Sequence, residues 1–198
     1  MTKMGGPATR SIADLTAVDI MSAPAVACRE EAYFEEVAEL LADREISGLP
    51  VVDAAGRVVG VVSERDLAHA LGGPLIRLVL RRPIHSGPFL RVPHAVPIGA
   101  KRAGDIMTTP AIVADLGLPL HGLAQTMLEQ QINRIPIVDH GRLVGVLTRG
   151  DLLSAIAGLT PREVALGEPP VVIGSGVLDG KFEIDPGRAE KRREEHRY

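Results

Sequence analysis

Two short runs carry residue types able to do chemistry: Ser63-Glu64-Arg65-Asp66 and Thr148-Arg149-Gly150-Asp151. A Ser or Thr followed three residues later by an acid is first of all a helix start, in which hydroxyl and carboxylate satisfy the free N–H groups of the first turn. The same carboxylate can accept two hydrogen bonds at once, which suits the adjacent 2′ and 3′ hydroxyls of a ribose. The positive end of the helix beside it favours a phosphate. Spacing alone leaves both readings open. The six histidines (His69, His85, His94, His121, His140, His196) lack metal-ligand spacing and read as surface or packing residues. Cys28 is the single cysteine and reads as a small buried residue. Neither a Gly-x-x-x-x-Gly-Lys-Ser/Thr phosphate loop nor a dinucleotide fingerprint is present. With no nucleophile–base pair in view, the expectation is a binding protein rather than an enzyme, with no metal and no catalytic cofactor.

The two runs belong to a longer repeat. Asp19-Ile20-Met21-Ser22-Ala23-Pro24 returns as Asp105-Ile106-Met107-Thr108-Thr109-Pro110, and Ile46–Asp53 returns as Ile132–Asp139. Gly60–Leu67 returns as Gly145–Leu152. The offset is 86 from Asp53 to Asp139 and 85 from Gly60 to Gly145, so one residue is lost in the intervening Asp…Gly turn. A turn is where such a loss is cheapest. Each repeat predicts a strand near Ala25–Ala27 (Ala111–Val113), then an amphipathic helix. The apolar positions of that helix are Phe34, Val37, Ala38 and Leu41, or Leu120, Leu123, Ala124 and Met127. A hairpin and a closing helix after Ser63 or Thr148 follow. The order is β-α-β-β-α, twice, an α+β fold.

The Asp-Ile-Met opening, the Pro-h-Val-Asp middle (h, apolar) and the Gly-h-h-Ser/Thr-x-x-Asp close, in order and twice, resemble the tandem CBS-domain (Bateman module) family. The resemblance covers residues 15–71 and 101–158. It implies two repeats packed about a pseudo-twofold axis, a disc-shaped homodimer, and two composite clefts for an adenosine compound. Carried over, cleft A combines Ser63, Arg65 and Asp66 with Thr109, Pro110, Ile112, Asn133, Arg134 and Ile135. Cleft B combines Thr148, Arg149 and Asp151 with Ala23, Pro24, Val26, Ser47, Gly48 and Leu49. The aspartates would hold ribose, and adenine would lie on apolar residues and read backbone groups. Arg134 stands where the first repeat has Gly48, so cleft A has two arginines for phosphates, Arg65 and Arg134. AMP, ADP or ATP is the expected ligand, with NAD and S-adenosylmethionine open.

The 198 residues are 45% hydrophobic but only 3% aromatic, so the core must be aliphatic. A net charge of −3 gives no general reason to expect nucleic acid. No stretch approaches the roughly 20 apolar residues of a membrane helix, and Met1–Leu15 does not read as a signal peptide. A cytoplasmic protein acting on a regulated partner in trans is expected. Residues 1–14 form an N-terminal segment. The insert 72–100 holds no acid but several arginines and prolines, with an apolar Leu75–Arg82 stretch expected to be helical. Its charge reads either as solubility or as an anion site. In the extension 159–198, short strands are expected at Val171–Ile173, Val177–Leu178 and Phe182–Ile184 before a charged tail. The competing function is a structural module with empty clefts that binds a partner through the insert.

Overall fold

The computed structural model describes residues 11–71, 101–158 and 168–174. The expected Leu75–Arg82 helix, the Val177–Leu178 and Phe182–Ile184 strands and the tail lie outside the described residues. In the first repeat, a short turn of helix α1 (Ala17–Ile20) precedes β1 (Val26–Arg29), α2 (Phe34–Asp43), β2 (Gly48–Val52), β3 (Val58–Ser63) and α3 (Glu64–Ala70). The second repeat follows the same order. It runs through α4 (Ala103–Ile106), β4 (Ala114–Asp115), α5 (Leu120–Glu129), β5 (Arg134–Asp139), β6 (Arg142–Thr148) and α6 (Arg149–Ile156). A last strand, β7 (Val171–Ile173), stands where the sequence places one.

One sheet runs β3-β2-β1-β7 and the other β4-β5-β6. Both hairpins are antiparallel, while β1 and β4 join them in parallel. The second opening strand departs from expectation, lying at Ala114–Asp115 instead of Ala111–Val113. The cause is the neighbouring strand. Against the hairpin, β1 pairs only through Cys28 and Arg29, the counterparts of Ala114 and Asp115. Val26 and Ala27 are strand because β7 pairs with them on the other side. Among the described residues no such strand flanks β4, so its preceding residues have no ladder to join.

The amphipathic pattern of α2 and α5 becomes burial. Phe34, Val37, Leu40 and Leu41 face one core, and Leu120, Leu123 and Met127 the other. Ala38 is half-buried and Ala124 exposed, so the apolar stripe is narrower than the sequence suggests. Cys28 is fully buried among Val37, Leu49 and Val51, and burial with the nearby Glu36 charge pushes its thiol up to about 12. Such a thiol stays protonated and is no nucleophile at neutral pH.

The opening helices are exchanged. Ala17 and Ile20 of α1 and the following Met21 are buried with Leu123, Met127, Ile135 and Leu152 of the second repeat. Ala103 of α4 is buried in the first repeat's core, with Ile106 and Met107 packed against it. The backbone repeats the exchange about a local twofold. Ala17 N donates to Leu118 O and Val18 N to Leu116 O, while Ala103 N donates to Ala32 O and Gly104 N to Glu30 O. Each opening helix is fixed by its own motif aspartate. Asp19 Oδ2 accepts from Thr16 N at 3.0 Å, and Asp105 Oδ2 from Arg102 N at 2.8 Å. At the crossing, Met21 and Met107 lie against Gly145 and Gly60, where a Cβ would overlap their side chains.

Candidate functional site

Asp66 and Asp151 both close a capping box. Asp66 Oδ2 accepts from Ser63 N at 2.8 Å and Ser63 Oγ at 2.6 Å, and Asp151 Oδ2 accepts from Thr148 N and Thr148 Oγ1, both at 2.7 Å. The helix-start reading of the two runs is therefore correct. It consumes one carboxylate oxygen of each aspartate and leaves the other. In cleft A the second oxygen, Asp66 Oδ1, faces the opposite repeat, where Thr108 Oγ1 stands 3.5 Å away. Among the described residues the second oxygen of Asp151 takes no hydrogen bond.

Backbone pairing sets these facings. Thr108 exchanges hydrogen bonds with Val61 of β3 (N to O at 2.9 Å, O from N at 3.1 Å), and Ser22 does the same with Val146 of β6 (2.9 and 3.0 Å). The opening segment of each repeat thus lies along the last strand of the other, just ahead of the aspartate-bearing helix. Thr109 Oγ1 also donates to Val59 O at 2.9 Å. Pro24 and Pro110, each after a cis peptide bond, sit in these segments.

Arg134 provides the other crossing contact. Its Nη2 donates to Ser47 Oγ at 2.7 Å, and its guanidinium covers Gly48, where any Cβ would overlap it. Burial holds its pKa below the usual arginine value, an effect opposed by the charges of Glu64 and Asp66. A guanidinium keeps its charge inside proteins. A half-buried cation therefore faces two carboxylates, those of Glu64 and Asp66.

The structure brings Ser63, Asp66 and Arg134 together with Thr108 and Glu64, two residues missed from the sequence. Arg65 and Arg149 are exposed, and among the described residues neither makes a hydrogen bond to its cleft. Asn133 is exposed, and its carbonyl accepts from Arg149 N, as Ser47 O accepts from Glu64 N, both at 3.1 Å. Pro110 is exposed, and Ala23, Pro24, Val26 and Ile112 are half-buried. Leu49 and Ile135 are fully buried in the two cores, so their side chains face away from solvent. Beyond Asp66 an open hollow of about 280 Å³ is lined by His69, Ala70, Lys101, Asp105 and Ile106. Lys101 Nζ there donates to Ala70 O at 3.1 Å, closing the C-terminus of α3. No helix among the described residues is long and apolar enough to cross a membrane.

Comparison with known proteins agrees with this architecture. The family model of the CBS domain matches residues 17–73 and again 103–158. Uncharacterized protein MJ1426 of Methanocaldococcus jannaschii is 31% identical over 153 residues, 70% of this chain and 89% of that protein. The chloroplastic CBS domain-containing protein CBSX1 of Arabidopsis thaliana is 32% identical over 61% of this chain and 54% of its own length. Among solved structures, CBSX2 in complex with AMP superposes with a TM-score of 0.56 at 28% identity, over 73% of this chain and 97% of that one. The CBS domain pair of MJ0100, in complex with 5′-methylthioadenosine and S-adenosyl-L-methionine, gives 0.56 at 26%, again over 73% and 97%. With two matched repeats that together cover more than half of its length, this chain belongs to the CBS domain family.

Proposed function

We propose that the chain is a regulatory module that binds an adenosine-containing ligand, AMP, ADP or ATP foremost, in the clefts between its repeats. The carrying observation is the composite edge of cleft A, where the outer oxygen of Asp66, the Thr108 hydroxyl and the Arg134 guanidinium converge from both repeats. A carboxylate oxygen not used by its cap suits a ribose hydroxyl, and a charged planar fork suits a phosphate. Adenosine compounds in the CBSX2 and MJ0100 structures support the choice of ligand class. Because both repeats form the cleft, a ligand that prefers one repeat–repeat geometry shifts the molecule toward it. In this reading a homodimer passes that shift to a regulated partner in trans.

A thermal-shift series with AMP, ADP, ATP, NAD and S-adenosylmethionine tests the reading. A ligand at about 100 times its Kd adds about 2.7 kcal/mol to the folded state. Asp66→Ala should weaken binding at cleft A and Asp151→Ala at cleft B, each at the cost of a cap, about 1 kcal/mol of stability. Undiminished binding to the double variant would show that ribose is held elsewhere.

A further inference from the structure

Positions 48 and 134 are equivalent in the two repeats, and the local twofold brings them face to face. Both cannot carry a side chain, because a Cβ on Gly48 would overlap the Arg134 guanidinium and stand 2.6 Å from Val62 O. Gly48 therefore leaves the room that Arg134 fills. The guanidinium carries five N–H donors in a rigid fork, and its bond to Ser47 uses one. Among the described residues its other donors take no hydrogen bond, and the carboxylates of Glu64 and Asp66 lie near enough to act on its charge. A long arginine chain without an anchor must be ordered when a phosphate binds, which costs roughly three- to tenfold in affinity. Ser47 supplies that anchor in advance. Its own backbone is tied to cleft A as well, since its carbonyl accepts from Glu64 N at 3.1 Å.

We infer that Ser47 is a positioning residue for Arg134, so that a hydroxyl which the family resemblance assigns to cleft B sets how strongly cleft A holds a phosphate-bearing ligand. This rests on the ligand reading given above. It also joins the two clefts energetically: a cleft B ligand that displaces the Ser47 hydroxyl alters the arm serving cleft A, and linkage makes the effect mutual.

The test uses the full chain, with AMP and adenosine as probes, followed by amide NMR shifts. Ser63 and Asp66 report cleft A; Thr148 and Asp151 report cleft B. Ser47→Ala should weaken AMP at cleft A about three- to tenfold and leave adenosine at cleft A unchanged, and Ser47→Thr, which restores the hydroxyl, should recover AMP there. Ser47 is exposed, so neither variant threatens the fold. Equal AMP affinity in wild type and Ser47→Ala, equal losses for AMP and adenosine, or no recovery by Thr would overturn the positioning role while leaving the ligand reading intact. If AMP moves neither set of amides in the wild type, the ligand reading falls and the positioning role with it.

Discussion

Between the repeats, the exchange of Gly48 for Arg134 makes the two clefts chemically unequal. Arg134→Ala should cost AMP or ATP about tenfold or more at cleft A, in line with about 1.5–3 kcal/mol for a charge-assisted bond, and spare adenosine. Parallel titrations of the two ligands at low and moderate salt check it; equal losses would make Arg134 a packing residue only. At this scale legibility follows sequence distance. The Ser63/Asp66 and Thr148/Asp151 pairs span three residues within one turn, so spacing alone displays them. Thr108 reaches Asp66 across 42 residues and Arg134 reaches Ser47 across 87, and no local pattern encodes either. The repeat nevertheless offered a signal, since Ser22 and Thr108 are equivalent hydroxyls in the two opening motifs.

Helices α2 and α5 are long enough for a 3.6-residue period to show in the sequence. The four-residue α1 and α4 are not, and what marks them is the aspartate of the opening motif, which caps them. The start of β4 is likewise illegible, because it depends on whether a strand lies beyond it. The close approach of Met21 to Gly145 and of Met107 to Gly60 gives a direct test of the crossing. The backbone carbonyls of Ser22 and Thr108 would each stand 3.1 Å from the new Cβ, so moving the methionine alone does not relieve the crowding. Gly145→Ala and Gly60→Ala should each destabilise by about 1–3 kcal/mol in urea denaturation. A change within 0.5 kcal/mol would mean that the crossing is loosely packed.

For the molecule as a whole, the unevenly covered surface is that of the second repeat. Leu128 on α5 and Leu153 and Ile156 on α6 are 75%, 67% and 59% exposed. Their counterparts in the first repeat, Ala42, Ala68 and Leu71, are half-buried or buried. An apolar helix face of this kind suits the homodimer proposed above. Replacing Leu153 and Ile156 by Glu should convert a dimer to monomer in sedimentation without unfolding it. Wild type sedimenting as a monomer at micromolar concentration would reject the assembly. From the sequence, the homodimer rests on the family resemblance and on the apolar Leu75–Leu80 stretch, which lies outside the described residues. The exposed positions on α5 and α6 give it a second basis, one that a helical stripe alone could not reveal because core and contact residues look alike in sequence.

The exchange of α1 and α4 also has a consequence for how the protein is made. A ribosome releases Ala17, Ile20 and Met21 first, yet the residues that bury them include Leu123, Met127, Ile135 and Leu152. The leading helix therefore waits, apolar side uncovered, until nearly the whole second repeat has emerged. A gene cut between the repeats would yield two fragments each missing a piece of its own core, and each would gain it by pairing with the other. The duplication in the sequence is thus a duplication of pattern and not of folding units, because each half closes only on a helix that the other half's sequence supplies.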